Sequence, residues 1–180
     1  VRGGRVVERF ESLVNPQRPI PPMITALTNI SWAMVKDAPT FRDICDQVLA
    51  TLGGRIFVAH NADFDWRFVS AEVQRATGRR LDGERLCTVR LARRLLPQLR
   101  SRRLDSVVNH YGIEIEARHR AGGDAEATAR VLLRLLADAR GRDCDSWEEL
   151  PGLLAARTAR RSRGRRPPAM PRPIDKDTTA

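Results

Sequence analysis

The sequence predicts a mixed α/β sandwich followed by a basic tail, and three observations carry that expectation. A short, nearly continuous apolar run, Arg55-Ile56-Phe57-Val58-Ala59, has the pattern of a parallel strand buried between helices. Apolar residues at helical spacing recur on either side of it. From Arg157 onward apolar periodicity disappears among Arg, Pro and Ser. The length of 180 residues fits one domain, 1–156, with a disordered Arg/Pro-rich tail or linker at 157–180.

Taken in order, Gly3-Gly4 reads as a tight turn and Arg5–Val14 as a half-buried strand, since apolar and polar residues alternate from Val6 onward. This strand is the second arm of a hairpin whose first arm would precede residue 1, so the chain reads as a truncated product. Asn15-Pro16 and Pro19-Ile20-Pro21-Pro22 form a proline-fixed connection that cannot join a central sheet. Short helical pieces follow around Met23–Leu27 and Trp32–Val35. Thr40 is placed to cap a helix over Phe41–Leu52, which carries Ile44, Val48 and Leu52 on one stripe and ends at Gly53-Gly54. After the apolar strand, helices are expected over Asp63–Ala76, Val89–Leu96, Leu104–Tyr111 and Asp124–Leu136. Ser146-Trp147-Glu148-Glu149 has the spacing of a capping box that opens a last short helix.

Composition narrows the function classes. Hydrophobic residues make up 42%, enough for a core, and no apolar run approaches the length of a membrane span. No charged-then-apolar leader opens the sequence, and Cys45, Cys87 and Cys144 form no CxxC pair. Reduced thiols and a cytoplasmic location are the expectation. Lys and Arg number 32 against 22 acids, with only Lys36 and Lys176 being lysine. Residues 157–180 hold eight of the bases and two of the acids, so more than half of the excess lies in the tail. A basic balance favours polyanions such as nucleic acid, although in the body the excess is small. The tail is expected to be a solvated linker, with a non-specific nucleic-acid arm as the sharper reading.

Two segments carry the chemistry. His60-Asn61-Ala62-Asp63-Phe64-Asp65 follows directly on the apolar strand, where α/β folds place their sites. One of its two acids can simply cap the next helix, which leaves capping by Asp63 and chemistry by Asp65 as the division of labour. His119-Arg120-Ala121-Gly122-Gly123-Asp124 places a His and an Asp around a glycine-containing turn before another amphipathic helix. Here Asp124 can be read as an N-cap and His119 as a loop residue. Taken together, the two segments offer carboxylates from separate elements, which suit hard divalent cations, and a loop His able to activate water.

With these residues in view the sequence resembles the DnaQ-like exonucleases of the DEDDh type, the group that includes the proofreading epsilon subunit of bacterial DNA polymerase III. The resemblance runs from Gly3-Gly4 to about Leu136. Its carriers are Leu13-Val14-Asn15-Pro16, Pro19-Ile20-Pro21, Ile24-Thr25-x-Leu27-Thr28-x-Ile30, Val58-Ala59-His60-Asn61-Ala62-x-Phe64-Asp65, Cys87-Thr88 with Leu91-Ala92-Arg93, Leu104 leading to Tyr111-Gly112-Ile113, and His119-Arg120-Ala121-x-x-Asp124-Ala125. That family also has Asp-x-Glu on a first strand upstream of the hairpin, and no pair within this sequence replaces it. Asp143 and Asp145 look like turn residues, and Glu8 and Glu11 have the wrong spacing.

The resemblance implies a ribonuclease H-like mixed sheet flanked by helices, here lacking its first strand. It implies hydrolysis of phosphodiester bonds at 3′ ends with two divalent cations, Mg2+ or Mn2+. Asp65 and Asp124 would be metal ligands and His119 the general base. His60, Asn61 and Phe64 would shape the site or touch the terminal nucleotide. DNA is favoured over RNA, in proofreading or repair, with single-stranded DNA or 3′ ends as substrate and no membrane. A DNA polymerase or a fused nuclease domain of GIY-YIG type is the implied partner. Without the first acidic motif the chain as written is expected to be close to inactive. The alternatives are a non-catalytic nucleic-acid-binding remnant and an RNA-trimming exoribonuclease.

Overall fold

The computed structural model describes residues 1–114 and 121–155. Among the described residues, eight helices and two short strands follow in the order α1 (Pro22–Thr28), α2 (Trp32–Val35), α3 (Phe41–Leu52), β1 (Phe57–Ala59), α4 (Ala62–Thr77), β2 (Arg85–Cys87), α5 (Thr88–Leu95), α6 (Leu104–His110), α7 (Ala121–Arg140) and α8 (Leu150–Ala155). β1 and β2 pair in parallel, with Val58 opposite Leu86 and Ala59 opposite Cys87. A parallel pair needs a crossover, and α4 supplies it.

Local signals account for most boundaries. Thr40 and Asp43 make a reciprocal capping box: the Asp43 amide donates to Thr40 Oγ1, and the Thr40 amide donates to Asp43 Oδ2 at 2.8 Å. At the other end the Gly53 amide bonds the Leu49 carbonyl. Ile44 and Cys45 are the buried positions of α3, which packs on α4, where Val73 is buried. Pro22 opens α1 at a position whose N–H would have no helical partner anyway. Glu149 forms the acidic half of the expected box, accepting from the amides of Asp145 (2.7 Å) and Ser146 (3.0 Å), and helical hydrogen bonding is regular from Leu150.

The main core lies where α5, α6, α7 and α8 meet β2. Leu91, Val107, Val131 and Leu135 are fully enclosed there, with Ala92, Leu95, Ala127 and Ala139 around them. α7 is the axis of this cluster and also reaches β1. The face of α5 opposite the core carries arginines.

Three sequence expectations are corrected. Residues 6–14 form no strand. Gly3-Gly4 does turn, with reciprocal bonds between Arg2 and Arg5, but the ladder ends there. Val6, Val7, Phe10 and Leu13 are 39–61% exposed. Strand hydrogen bonds need a neighbouring strand, and among the described residues none lies beside this segment. Side chains hold it instead, through an ion pair of Arg9 with Glu126 and one of Glu8 with Arg55 at 3.5 Å. Second, α7 begins at Ala121 and takes Gly122-Gly123 into its first turn, so Asp124 is a first-turn residue rather than the N-cap. Third, β1 is half-buried rather than enclosed, and its three residues line a cavity. β2 is an addition, too short at three residues for alternation to reveal it. The expected tail at 157–180 lies outside the described residues.

Candidate active site

β1 delivers the chain to His60 and Asn61, and α4 starts immediately afterwards. The turn is made by Asn61, which adopts φ 88 and ψ 52, a left-handed conformation that Asn tolerates better than most residues. Asn61 is the N-cap of α4 through its backbone, its carbonyl accepting from the Phe64 amide at 2.9 Å, and its side chain makes no cap bond.

Asp63 is therefore not the cap. It lies in the first turn of α4, largely exposed, with Oδ1 3.8 Å from Arg85 Nη1. The reading of Asp63 as a helix cap is corrected: the sharp left-handed turn at Asn61 sets the helix start two residues earlier. Asp65 has a different environment. It is half-buried and lines a cavity of about 1500 Å³ between the N-terminal segment, β1 and α7. Asp124, from the first turn of α7, lines the same cavity, as does His60. Burial pushes the Asp65 carboxyl above the usual range, while its own backbone amide and His60 pull it back.

His60 is tied down at both ring nitrogens. Nε2 lies 2.7 Å from the Arg102 carbonyl oxygen, which can only accept, so this nitrogen carries the proton. Nδ1 lies 2.9 Å from the hydroxyl of the buried Thr88, which also lies 3.4 Å from the Ala59 carbonyl. Burial lowers the His60 pKa, while the Arg102 carbonyl and the Asp65 carboxylate pull it back up. His60 thus joins the end of β1 to the start of α5 and to the turn before α6. Thr88 and the Arg102 carbonyl are participants that sequence reasoning gave no role. The signal available in the sequence was the place of Cys87-Thr88 among the motifs of the resemblance.

Phe64 is 51% exposed and tilts against the equally exposed Phe68 one turn later, ring centroids 4.8 Å apart. The Arg67 guanidinium lies 5.9 Å from one ring and 5.7 Å from the other. His119 lies outside the described residues. The structure thus brings Asp65, Asp124 and His60 to one cavity and leaves Phe64 and Asn61 exposed at the start of α4.

Asp65 and Asp124 are hard oxygen donors from two helices, and their chemistry fits a divalent cation. Among the described residues no third His, Cys, Asp or Glu completes a metal-holding group with them. Nor is any described helix long and apolar enough to cross a membrane.

A parallel strand runs into a helix that carries one acid, and a second helix brings another acid to the same cavity, in an α/β domain. Comparison with known proteins makes the class specific. Residues 1–132 match the exonuclease family model. The chain is 40% identical over 136 residues to a DNA polymerase III PolC-type protein of Oceanobacillus iheyensis, covering 76% of this chain and 10% of that protein. It is 33% identical over 136 residues to the DNA polymerase III subunit epsilon of Aquifex aeolicus, covering 76% of this chain and 67% of that one. Among solved structures, Exonuclease X in complex with 5′ overhanging duplex DNA superposes with a TM-score of 0.65 at 28% identity, covering 86% of both chains. The chain belongs to the exonuclease family, in its DnaQ-like branch, and has that family's ribonuclease H-like fold. It spans about a tenth of the length of the PolC-type relatives it matches.

Proposed function

We propose that this chain is the body of a 3′→5′ exonuclease that hydrolyses the terminal phosphodiester bond of DNA. The observation that supports the reading is that Asp65 and Asp124, from helices far apart in sequence, both line one cavity. Asp65 and Asp124 would hold divalent cations, Mg2+ or Mn2+, whose chemistry when bound is to acidify water and neutralise developing phosphate charge. His119 would take the proton of the attacking water, a role that suits an imidazole with a pKa near neutrality. His60, tied to Thr88 and the Arg102 carbonyl, would shape the wall of the site. Phe64 and Asn61 would meet the terminal nucleotide. Two carboxylates are fewer than two divalent cations would need, so full turnover is proposed to need the acidic first strand of the DnaQ-like pattern. A PolC-type or epsilon-containing polymerase, or a fused nuclease domain, is the proposed setting.

The test uses 5′-labelled single-stranded DNA and a matched RNA strand, with Mg2+ or Mn2+ and with chelator. The 180-residue chain should be nearly silent. A version extended by a strand bearing Asp-x-Glu should give a ladder shortening from the 3′ end, faster on DNA. Loss of that ladder in Asp65→Asn, Asp124→Asn and His119→Ala is expected. A ladder that survives Asp65→Asn and Asp124→Asn overturns the reading.

A further inference from the structure

Between β2 and α6 the chain carries six arginines and no acid over residues 88–103: Arg90, Arg93, Arg94, Arg100, Arg102 and Arg103. Two of the six have structural work. The Arg102 guanidinium folds back on the carbonyls of Leu96 (3.1 Å) and Pro97 (3.2 Å), and Arg94 is half-buried with its Nε enclosed. The other four are exposed, and none forms an ion pair with a described carboxylate. Elsewhere arginines such as Arg9, Arg55, Arg75, Arg85 and Arg130 do find one.

The placement of this segment is not arbitrary. On α5, Thr88, Leu91, Ala92 and Leu95 face the core, so Arg90 and Arg93, three residues apart, share the opposite face. The segment then turns back, held at the end of α5 by Arg142, which donates to the carbonyls of Arg94 (3.1 Å) and Leu95 (2.6 Å). Both ends of it are fastened to the same side chain. Thr88 opens it with a bond to His60 Nδ1, and the Arg102 carbonyl closes it with a bond to His60 Nε2. Leu104, the next residue after Arg103, lines the cavity with Asp65 and Asp124. An acid-free, arginine-rich segment thus leaves His60, which lines the cavity, at Thr88 and returns to it at Arg102.

We propose that Arg90, Arg93, Arg100 and Arg103 form a phosphate track that holds the backbone of the DNA strand whose 3′ end enters the cavity. The proposal rests on the exonuclease reading above and adds the surface that grips the strand behind the scissile bond. Unpaired guanidiniums on a fixed scaffold neutralise phosphates without reading bases, so the track is sequence-independent and salt-sensitive.

The experiment measures binding of a labelled oligothymidine strand to the 180-residue chain by fluorescence anisotropy, in chelator so that no hydrolysis occurs, across a salt series. Two double variants are compared with wild type: Arg90→Gln with Arg93→Gln, and Arg100→Gln with Arg103→Gln. Each lost phosphate contact removes about 0.7 from the magnitude of the slope of log K against log salt, so each pair should lower it by about 1.4. The matching Arg→Lys pairs keep the charge and should keep the slope, as should Arg75→Gln on α4. Thermal melting of every variant establishes that it is folded. If either Gln pair retains the wild-type slope, or if wild type does not bind the strand at low salt, the track is overturned. An extended enzyme that still gives its 3′ ladder in that case leaves the nuclease reading standing.

Discussion

At residue scale, Asp65 is held in tension between folding and chemistry. Its carboxyl is raised by burial, so the folded chain binds that proton more tightly than the unfolded chain does. Stability from this group is therefore fully present below the unfolded carboxylate pKa of about 3.9, and is lost as pH rises through the higher folded value. Asp65→Asn is expected to melt above wild type at neutral pH, with the gap closing toward pH 3, while removing activity from the extended enzyme. Melting curves across pH check it; a variant less stable than wild type at pH 7 contradicts the account. Asp63→Ala, changing an exposed side chain with one long ion pair to Arg85, should alter neither quantity much.

Among the elements, α3 shows how far local chemistry reaches. Its start is decided by Thr40 and its end by Gly53, with hydrogen bonds no longer than four residues apart. Thr40→Ala removes the hydroxyl that accepts from the Asp43 amide and should cost about 1 kcal/mol in chemical denaturation. α4 follows a different rule, since the backbone conformation of Asn61 rather than a side-chain cap starts it. This is why two adjacent-looking acids have separate fates: Asp63 sits over β2's Arg85, and Asp65 reaches the cavity.

For the molecule as a whole, stability is concentrated in the α5–α6–α7–α8 cluster and thins toward the N-terminal segment. Residues 6–14 contribute no ladder bonds, and their apolar side chains are substantially exposed. Amide exchange should therefore be nearly unprotected over 6–14, while Val131 and Leu135 exchange only through global opening. Mass-spectrometric exchange measures both regions at once. Equal protection in the two would show that the segment has a ladder partner. The extended protein, with a further strand, is expected to protect 6–14 selectively.

The sequence by itself determined the α/β class, the helices at 41–52 and 88–95 to within a residue or so, and the two segments that carry the acids. Helix signals are legible because each bond joins residues four apart and each cap is a neighbour of what it caps. The family followed from motif order along the chain, which needs no coordinates. Only the tertiary structure decided that residues 6–14 lack a ladder, that Arg85–Cys87 is a strand, and that Asp65 rather than Asp63 lines the cavity that Asp124 also lines. It also decided that His60 is locked by Thr88 and the Arg102 carbonyl. Each of these depends on a partner distant in sequence, and strand pairing, burial and convergence exist only once the chain has closed on itself.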